Sequence, residues 1–386
     1  MLFIILVTFV VFRDYVGGAD TYYFINHICY DSQIDSPILS DWIFGVLPCH
    51  TPTLKIFQIF LYILSIIPIY LIGKMYEKKL ELPKYISLFL IFASLSLSFA
   101  MLGNLEDDQL AFPLLFWAQY FYIKYIHNKG ENFVTNLYRL GIPISLIFIS
   151  FFLWKGTLLY IGVFFLLSRY TIMLLIPMIF IFWKYIGRLI PNFDVLENLP
   201  IIGIFYLNLN ILGIYLFFTK EDLHLKLMFA LFLIIGILNT KYIIHALPLS
   251  IVGMMYLWKE KIHGVPKKEL IMISLVVIMT IFSGMVLYKS APTEDLFVGI
   301  HNTYSLGEDM NIEISNDWSI GYFIEYAGYE ARYKGHPSLE YDFNNKIVIT
   351  SFSDFNLDKY CTEHTHEEHY RIWICPVKGV PYQIEQ

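Results

Sequence analysis

Charged residues are scarce in this chain: they make up 16% of its 386 residues, whereas soluble domains carry about 25%. Neither sign dominates, because 33 Asp and Glu stand against 27 Lys and Arg, for a formal net charge of −6. Nucleic-acid binding requires a basic surface, so we expect no nucleic-acid partner. The sequence also lacks an internal repeat, a low-complexity run and an HExxH zinc motif.

The chain is rich in long apolar runs, and 57% of its residues are hydrophobic. A run of roughly 20 apolar residues spans a bilayer as a helix. We therefore predict an all-α polytopic membrane domain of about eleven transmembrane helices for residues 1–288. The predicted spans are 2–12, 54–73, 85–102, 110–126, 140–153, 156–167, 171–185, 201–218, 225–238, 242–257 and 270–288.

The orientation of these spans follows from the basic loops. Lys and Arg in short loops mark the cytoplasmic side, and three basic loops share one side when the spans number eleven. These loops contain Lys74, Lys78, Lys79 and Lys84; Lys124, Lys129 and Arg139; and Lys259, Lys261, Lys267 and Lys268. We therefore predict a multi-pass protein of the plasma membrane, in contact with membrane lipids, whose tail (residues 289–386) is extracytoplasmic. Gly17 and Ala19 would suit signal-peptide cleavage, but no basic residue precedes the first run, so we favour a retained span.

The first outer loop contains an acidic motif directly after the first span. Residues 13–23 read Arg-Asp-Tyr-Val-Gly-Gly-Ala-Asp-Thr-Tyr-Tyr. Gly17 and Gly18 permit backbone angles that bring a chain close to a ligand. The carboxylate of Asp20 would then accept a proton from a hydroxyl or hold a divalent cation. The other aspartates of this loop, Asp31, Asp35 and Asp41, are expected to be solvated.

A second acidic motif opens the fourth predicted span, where Glu106, Asp107 and Asp108 follow one another. Carboxylates at a helix N-terminus are stabilised by the helix dipole, by about 0.3–1 kcal/mol each, and one would suffice for that. Three adjacent carboxylates repel each other. A cation or a hydroxyl donor would relieve the repulsion, so we predict a functional role for at least one of them.

Two isolated lysines lie between apolar runs on the same predicted side. Lys155 stands in Trp-Lys-Gly and Lys241 in Asn-Thr-Lys-Tyr, with His245 four residues further on. Either lysine would serve as a snorkelling side chain at the headgroups. Both would also stabilise the charge that develops on a phosphate leaving group, so we predict substrate-phosphate binding for all three residues.

The tail has the pattern of a small α/β domain. Short β-branched stretches at 296–300, 312–314, 346–352 and 371–375 predict strands, and apolar residues at helical spacing over 320–327 predict an amphipathic helix. Trp318 and Tyr322 at this helix, with Arg332 downstream, are candidates for binding a sugar or an acceptor. A bare amphipathic helix explains much of the same pattern.

All four cysteines lie on the predicted outer side. Disulfides Cys29–Cys49 and Cys361–Cys375 suit an oxidising compartment, although spacing alone does not fix the pairing. Residues 361–375 also contain His364, His366 and His369. A solvated hairpin explains these histidines better than a designed zinc site, since glutamates surround them.

Together these motifs resemble the GT-C superfamily of membrane glycosyltransferases. The resemblance rests on Gly-Ala-Asp-Thr-Tyr-Tyr (18–23), Glu-Asp-Asp (106–108), Lys-Tyr-Ile-Ile-His-Ala-Leu-Pro (241–248) and Asn-Asp-Trp-Ser-Ile-Gly-Tyr (316–322), in the family's order. The tail segment is similar to that of oligosaccharyltransferase subunits, but their Trp-Trp-Asp-Tyr-Gly string is only echoed here. A monosaccharide transferase similar to the protein mannosyltransferases is an equal alternative.

The resemblance implies an inverting transfer of a sugar from a polyprenyl-phosphate-linked donor to a protein, lipid or glycan acceptor. It implies that Asp20 is the base, that Glu106, Asp107 and Asp108 assist, and that Asp20 and Asp108 hold Mg²⁺ or Mn²⁺. Lys155 and Lys241 would bind the departing phosphate. A transporter or flippase for a lipid-linked sugar is the alternative, and it would place its charges near the midplane of the bilayer. A non-catalytic receptor is a third alternative, which leaves the acidic loops unexplained.

Overall fold

The computed structural model describes most of the chain. The described residues are 2–17, 21–30, 37–103, 105–128, 133–154, 156–167, 210–238, 240–262, 268–289, 291–316, 318–332, 345–351, 357, 361–366 and 370–375. Asp20, Lys155 and the predicted span 171–185 lie outside them, as does half of the predicted span 201–218.

Helices build the described part of residues 2–289. They are α1 (Leu2–Phe12), α2 (Thr21–Tyr30), α3 (Ile38–Gly45), α4 (Thr51–Leu80), α5 (Ile86–Phe92), α6 (Leu95–Leu102), α7 (Asp107–His127), α8 (Phe133–Phe151), α9 (Thr157–Leu167), α10 (Leu223–Leu238), α11 (Leu247–Leu257) and α12 (Lys268–Lys289). Short 3₁₀ segments at Ile214–Phe218 and Thr240–Ala246 and a π-helical turn at Trp258–Ile262 connect them.

Several of these helices have the composition of membrane spans. Two stretches among the described residues are long and apolar enough to cross a bilayer. They are Thr51–Leu80 and Val276–Met310, and the second covers the end of one helix (Lys268–Lys289) and the helix that follows it (Glu294–Met310). Shorter apolar helices are Leu2–Phe12, Tyr138–Phe151 and Leu223–Gly236. The polytopic architecture with eleven spans stays a prediction.

Two predicted spans differ in detail from continuous α-helices. Residues 85–102 form two helices, because the chain turns at Ser94, whose hydroxyl accepts a hydrogen bond from the Leu97 N–H at 3.3 Å. A serine that bonds the backbone in this way favours a helix start over a helix interior. Residues 242–257 begin as a 3₁₀ segment, and α11 starts only at Leu247, with Pro248 in its first turn. Proline is suited to that position because it lacks an N–H.

The tail contains two helices and a four-stranded sheet. Its elements are α13 (Glu294–Met310), β1 (Glu313–Asn316), α14 (Trp318–Tyr326), β2 (Lys346–Ser351), β3 (Thr362–His366) and β4 (Tyr370–Cys375). The strand order is β1-β2-β4-β3. β1 pairs parallel with β2, α14 lies in the connection between them, and the other two pairings are antiparallel.

One strand prediction was wrong, because residues 296–300 belong to α13. Thr293 caps this helix by accepting from the Leu296 N–H at 3.3 Å, and Glu294 and Asp295 occupy its first turn. Carboxylates there favour a helix through the dipole. The buried residues Leu296, Gly299, Ile300, Thr303 and Gly307 continue the helical spacing beyond the short apolar window that suggested a strand.

The two faces of the sheet alternate as the pleat requires. Ile347 and Ile349 of β2 pack in the main core, whereas Val348 between them packs with Trp373 on the opposite face. The Trp373 indole N–H donates to Thr350 Oγ1 at 3.0 Å, which satisfies the one polar atom of this buried ring. Helix α14 thus packs against the face of the sheet that carries Ile347 and Ile349, and the smaller cluster around Trp373 covers the other face.

Both predicted disulfides are present. Cys29–Cys49 joins the end of α2 to the segment before α4, and Cys361–Cys375 joins the residue before β3 to the end of β4. β3 and β4 form an antiparallel pair. In the described part of the chain no group of three His, Cys, Asp or Glu residues is arranged to hold a metal ion.

Candidate active site

The predicted site residues differ in how much the structure describes of them. Asp20 and Lys155 lie outside the described residues, and only the backbone of Lys241 and Trp318 is described. The site is therefore built from the residues next to them in the chain.

The two acidic motifs are joined by a hydrogen bond between segments far apart in sequence. The Leu105 N–H donates to Thr21 Oγ1 at 2.8 Å, and the Thr21 hydroxyl donates to the Gly17 carbonyl at 2.6 Å. Thr21 follows Asp20 in the chain and Leu105 precedes Glu106. The backbone of the first motif therefore lies against the backbone of the second.

A buried arginine fixes the first loop to the same place. Arg13 is 2% exposed, and its guanidinium donates to the Leu102 carbonyl at 2.9 Å and to Gln58 Oε1 at 2.6 Å. The Lys55 ammonium in turn donates to the Arg13 carbonyl. Sequence reasoning assigned Arg13 no role, although a cation directly after an apolar run and before an acidic loop was a usable signal.

The second acidic motif is largely buried. Glu106 is 5% exposed and Asp108 1%, while Asp107 is half-buried. Glu106 holds the N-cap position of α7, and Asp107 and Asp108 lie in its first turn, where the dipole stabilises carboxylates. Oxygen donors of this kind suit Mg²⁺ or Mn²⁺, so the carboxylates present fit the predicted cation.

The two lysine-bearing segments also lie together. The ring of Trp154, which precedes Lys155, stacks on the ring of Tyr242, which follows Lys241, with centroids 5.2 Å apart. Gly156 makes this approach possible, because a Cβ there would lie 2.6 Å from the Tyr242 hydroxyl. The chain neighbours of two lysines that are 86 residues apart in sequence thus form a single stacked pair.

Phe112 connects this stacked pair to the acidic motif. Residues four apart on a helix share a face, so Phe112 lies one turn from Asp108 on α7. Its ring meets Trp154 edge-on at 5.5 Å and His245 at 5.1 Å. The start of α7 and the lysine-bearing segments are therefore neighbours.

His245 is fully buried in this aromatic surrounding. Its Nδ1 lies 2.6 Å from the Tyr160 hydroxyl, and the Gln119 amide donates to that hydroxyl and to the His245 carbonyl. Since Tyr160 accepts from Gln119, its own proton is free for Nδ1, which places the imidazole proton on Nε2. Nε2 has no hydrogen-bond partner among the described residues.

The tail packs on α2 through α14. Tyr22 meets Phe323 edge-on at 4.8 Å, and Tyr23 lies 5.2 Å from the ring of Tyr322. The Asn26 amide donates to the Tyr322 carbonyl at 2.9 Å. Tyr322, predicted to bind substrate, therefore lies against the helix that Asp20 precedes.

A second contact joins the first loop to α13. Asp14 accepts a hydrogen bond from the Glu294 N–H at 3.1 Å, and the Tyr15 hydroxyl donates to Glu294 Oε2 at 2.8 Å. Burial, together with the hydrogen bond to Glu294, raises the pKa of Tyr15 above its usual value. The phenol therefore stays protonated and remains a donor.

Arg332 is placed differently from the other predicted residues. The Arg332 guanidinium lies 3.5 Å from Glu313 Oε1, and the Arg332 backbone N–H donates to Asn316 Oδ1 at 3.1 Å. It lines a cavity of about 470 Å³ with Tyr304. Burial raises the pKa of Tyr304 to about 12, so its hydroxyl is a donor. These contacts of Arg332 lie within the tail.

Comparison with known proteins supports the fold. No protein-family model matches the sequence, and no curated protein matches it. Among solved structures, the chain is similar to an Archaeoglobus fulgidus oligosaccharyltransferase, tethered by a disulfide bond to an acceptor peptide containing the NVT sequon. The TM-score is 0.51 at 11% identity, over 87% of this chain and 63% of that one.

This likeness shows a GT-C-like fold, in agreement with the resemblance found in the sequence motifs. The chain spans less than two thirds of the length of the archaeal protein.

Proposed function

We propose that this protein is a membrane glycosyltransferase, which moves a sugar from a polyprenyl-phosphate-linked donor to an acceptor on the extracytoplasmic side. The observation that carries the proposal is the hydrogen bond from Leu105 to Thr21, because it brings the segments of both acidic motifs together on a GT-C-like fold. Two remote acidic segments that meet at a helix start are what a transferase needs to activate an acceptor and balance charge.

In the proposed reaction the acceptor oxygen or nitrogen attacks the anomeric carbon of the donor sugar. The bond from that carbon to the phosphate oxygen breaks, and the lipid phosphate leaves with the electron pair. Asp20 takes the proton of the acceptor. Because attack and departure occur on opposite faces, the anomeric configuration inverts.

The other predicted residues stabilise the two ends of this displacement. Asp20 and Asp108 would hold Mg²⁺ or Mn²⁺ with the assistance of Glu106 and Asp107, and a divalent cation would supply positive charge to the phosphate or the acceptor. Lys155 and Lys241 place cations where the departing phosphate gains charge. The buried His245 Nε2–H, whose ring lies about 6 Å from the rings of Trp154 and Tyr242, would be a further donor.

The acceptor remains to be identified by experiment. The structurally similar archaeal enzyme was bound to an acceptor peptide, so a protein acceptor is the first class to test, followed by lipid and glycan acceptors. The acidic motifs directly precede helices α2 and α7, and this favours chemistry at the membrane surface over transport through the midplane.

The decisive experiment compares Asp20→Asn with Asp41→Asn in purified full-length protein. Asp41 is half exposed and pairs with His27 at 3.2 Å, so its variant removes the same charge from the same loop. Proteoliposomes with labelled polyprenyl-phosphate sugars receive peptide, lipid or glycan acceptors, with and without EDTA. We expect Asp20→Asn to abolish labelling and Asp41→Asn to retain it. Full activity of Asp20→Asn would remove Asp20 from the mechanism.

A further inference from the structure

A cavity of about 430 Å³ lies between α7 and α8, far from the acidic motifs. It is lined by Phe121, Lys124, Tyr125, Asn128, Arg139 and Ile142. At 1.5 Å per residue, Lys124 lies roughly 24 Å along α7 from Asp108. The cavity therefore belongs to the opposite end of the helix and is separate from the proposed active site.

Two cations stand at the mouth of this cavity. Lys124 and Arg139 are both exposed and come from different helices, and no carboxylate of the described residues forms an ion pair with either of them. The Arg139 guanidinium donates to the Asn128 carbonyl, which holds it at the end of α7. Its remaining N–H groups match the forked geometry by which arginine binds a phosphate.

One wall of the cavity is aromatic and continues along α7. Phe121 stacks on Trp117 with ring centroids 5.7 Å apart. The Lys124 ammonium lies 5.9 Å from the centroid of Tyr120, one turn along the same helix. These partly exposed rings provide apolar surface directly beside the two charges, which is the arrangement that an amphiphile with an anionic head requires.

We propose that this cavity binds the phosphate of an anionic phospholipid, with its acyl chain along Trp117 and Phe121. Basic pockets between membrane helices on the cytoplasmic side bind anionic headgroups, and the other two basic loops, at 74–84 and 259–268, predict that this end of α7 is cytoplasmic. The shared ligand chemistry is a phosphate monoanion on a lipid or in solution. The aromatic wall favours the lipid. The inference rests on the membrane location but is independent of sugar transfer.

The test measures lipid binding to full-length protein by native mass spectrometry. Detergent-solubilised protein is titrated with phosphatidylglycerol, with phosphatidylcholine of the same acyl chains, and with phosphatidylglycerol in excess inorganic phosphate. The test variant is Lys124→Gln/Arg139→Gln. The control is Lys74→Gln/Lys84→Gln, which removes two exposed charges from the same predicted side outside the cavity.

We expect wild type and control to bind phosphatidylglycerol alike and phosphatidylcholine weakly. The test variant should bind phosphatidylglycerol about 30-fold more weakly, since each basic residue near the surface contributes about 1 kcal/mol. Sugar transfer by the variant should be unchanged. Equal lipid binding by both variants, or full displacement by inorganic phosphate, would overturn the proposal.

Discussion

The two ends of the helical bundle differ in the groups that surround their buried carboxylates. At the end of the bundle where α7 finishes, which the loop charges predict to be cytoplasmic and which we call the inner end, the buried Glu221 pairs with Lys79 at 2.5 Å. It also accepts hydrogen bonds from the hydroxyls of Tyr76 and Tyr256, and Tyr76 contacts His127 at 2.9 Å. One carboxylate thus meets one cation and two neutral donors, which come from α4 and α11, and α7 contributes His127 beside Tyr76.

At the outer end, where α7 begins, three carboxyl groups follow one another in the chain and the segment of Asp20 is brought to the same place. Balanced charge at the inner end makes a structural network. Three consecutive carboxyl groups repel one another, and concentrations of acidic residues are typical of functional sites. This difference is the reason that we place the proposed chemistry at the outer end.

The sharpest way to break this comparison is to neutralise one carboxylate at each end. We expect Asp108→Asn to lower sugar transfer by about 10²–10⁴-fold, the range for a group that assists proton transfer. Glu221→Gln should leave the rate per folded molecule unchanged. Rates are measured in proteoliposomes and normalised to folded protein. An equal loss of the normalised transfer rate in both variants would mean that Asp108, like Glu221, has only a structural role.

Covalent cross-linking also differs between the two ends. The disulfide Cys29–Cys49 lies at the end that carries the acidic motifs, and the Glu221 network at the other end contains no disulfide among its described residues. Its cysteines are 20 residues apart, and closing a loop of that size contributes about 3 kcal/mol. We expect Cys29→Ser/Cys49→Ser to unfold at lower temperature, with partial loss of transfer. In reductant, which breaks Cys29–Cys49 and Cys361–Cys375 alike, the variant and the wild type should unfold at the same temperature; a mismatch would point to an effect of the serines themselves.

Stability should fall in turn when the inner network is weakened. Glu221→Gln removes the charge that Lys79 and two phenols share, and we expect a loss of about 1–3 kcal/mol. Lys79 is 48% exposed, so Lys79→Gln should cost less, because water screens an exposed partner. Thermal melts of both variants test the order. A larger loss for Lys79→Gln would contradict the assignment of Glu221 as the centre of the network.

The smallest expected effect concerns the hydrogen bond that joins the acidic motifs. Thr21→Val keeps the shape of the side chain but removes the acceptor of the Leu105 N–H, at a cost of about 1–3 kcal/mol. We expect sugar transfer to fall about 10-fold with little change in donor affinity, because orientation is lost rather than binding. Thr21→Ser retains the hydroxyl and should restore the rate. A serine variant as slow as the valine variant would exclude the hydrogen bond as the cause.

Local pattern predicted the regular elements well where one face is apolar. Strands β2 and β4 and helix α14 were predicted because their β-branched runs and helical spacing are strong local signals. β3 was missed as a strand, since Thr-Glu-His-Thr-His has no apolar alternation and is held by its pairing with β4. Only tertiary context decides such a segment.

The contacts that assemble the site were not predictable in the same way. Leu105 and Thr21 are 84 residues apart, and Arg13 and Leu102 are 89 apart. No local periodicity encodes such a pair. The motifs predict which segments carry chemistry, and that stays a prediction. The residues that hold those segments together, Thr21, Arg13 and Lys55, emerge only from the folded chain.

Helix α2 has a practical consequence for biochemistry. The backbone N–H of Leu105 donates a hydrogen bond to Thr21 at the start of this helix. The tail covers the helix through Phe323 and Tyr322, whose rings contact Tyr22 and Tyr23. A truncated protein ending near residue 288 would expose these rings to water and release the segment that carries Asp20. Screens for inhibitors or substrates should therefore use the intact polypeptide, because the trimmed version would register as inactive for reasons unrelated to its catalytic groups.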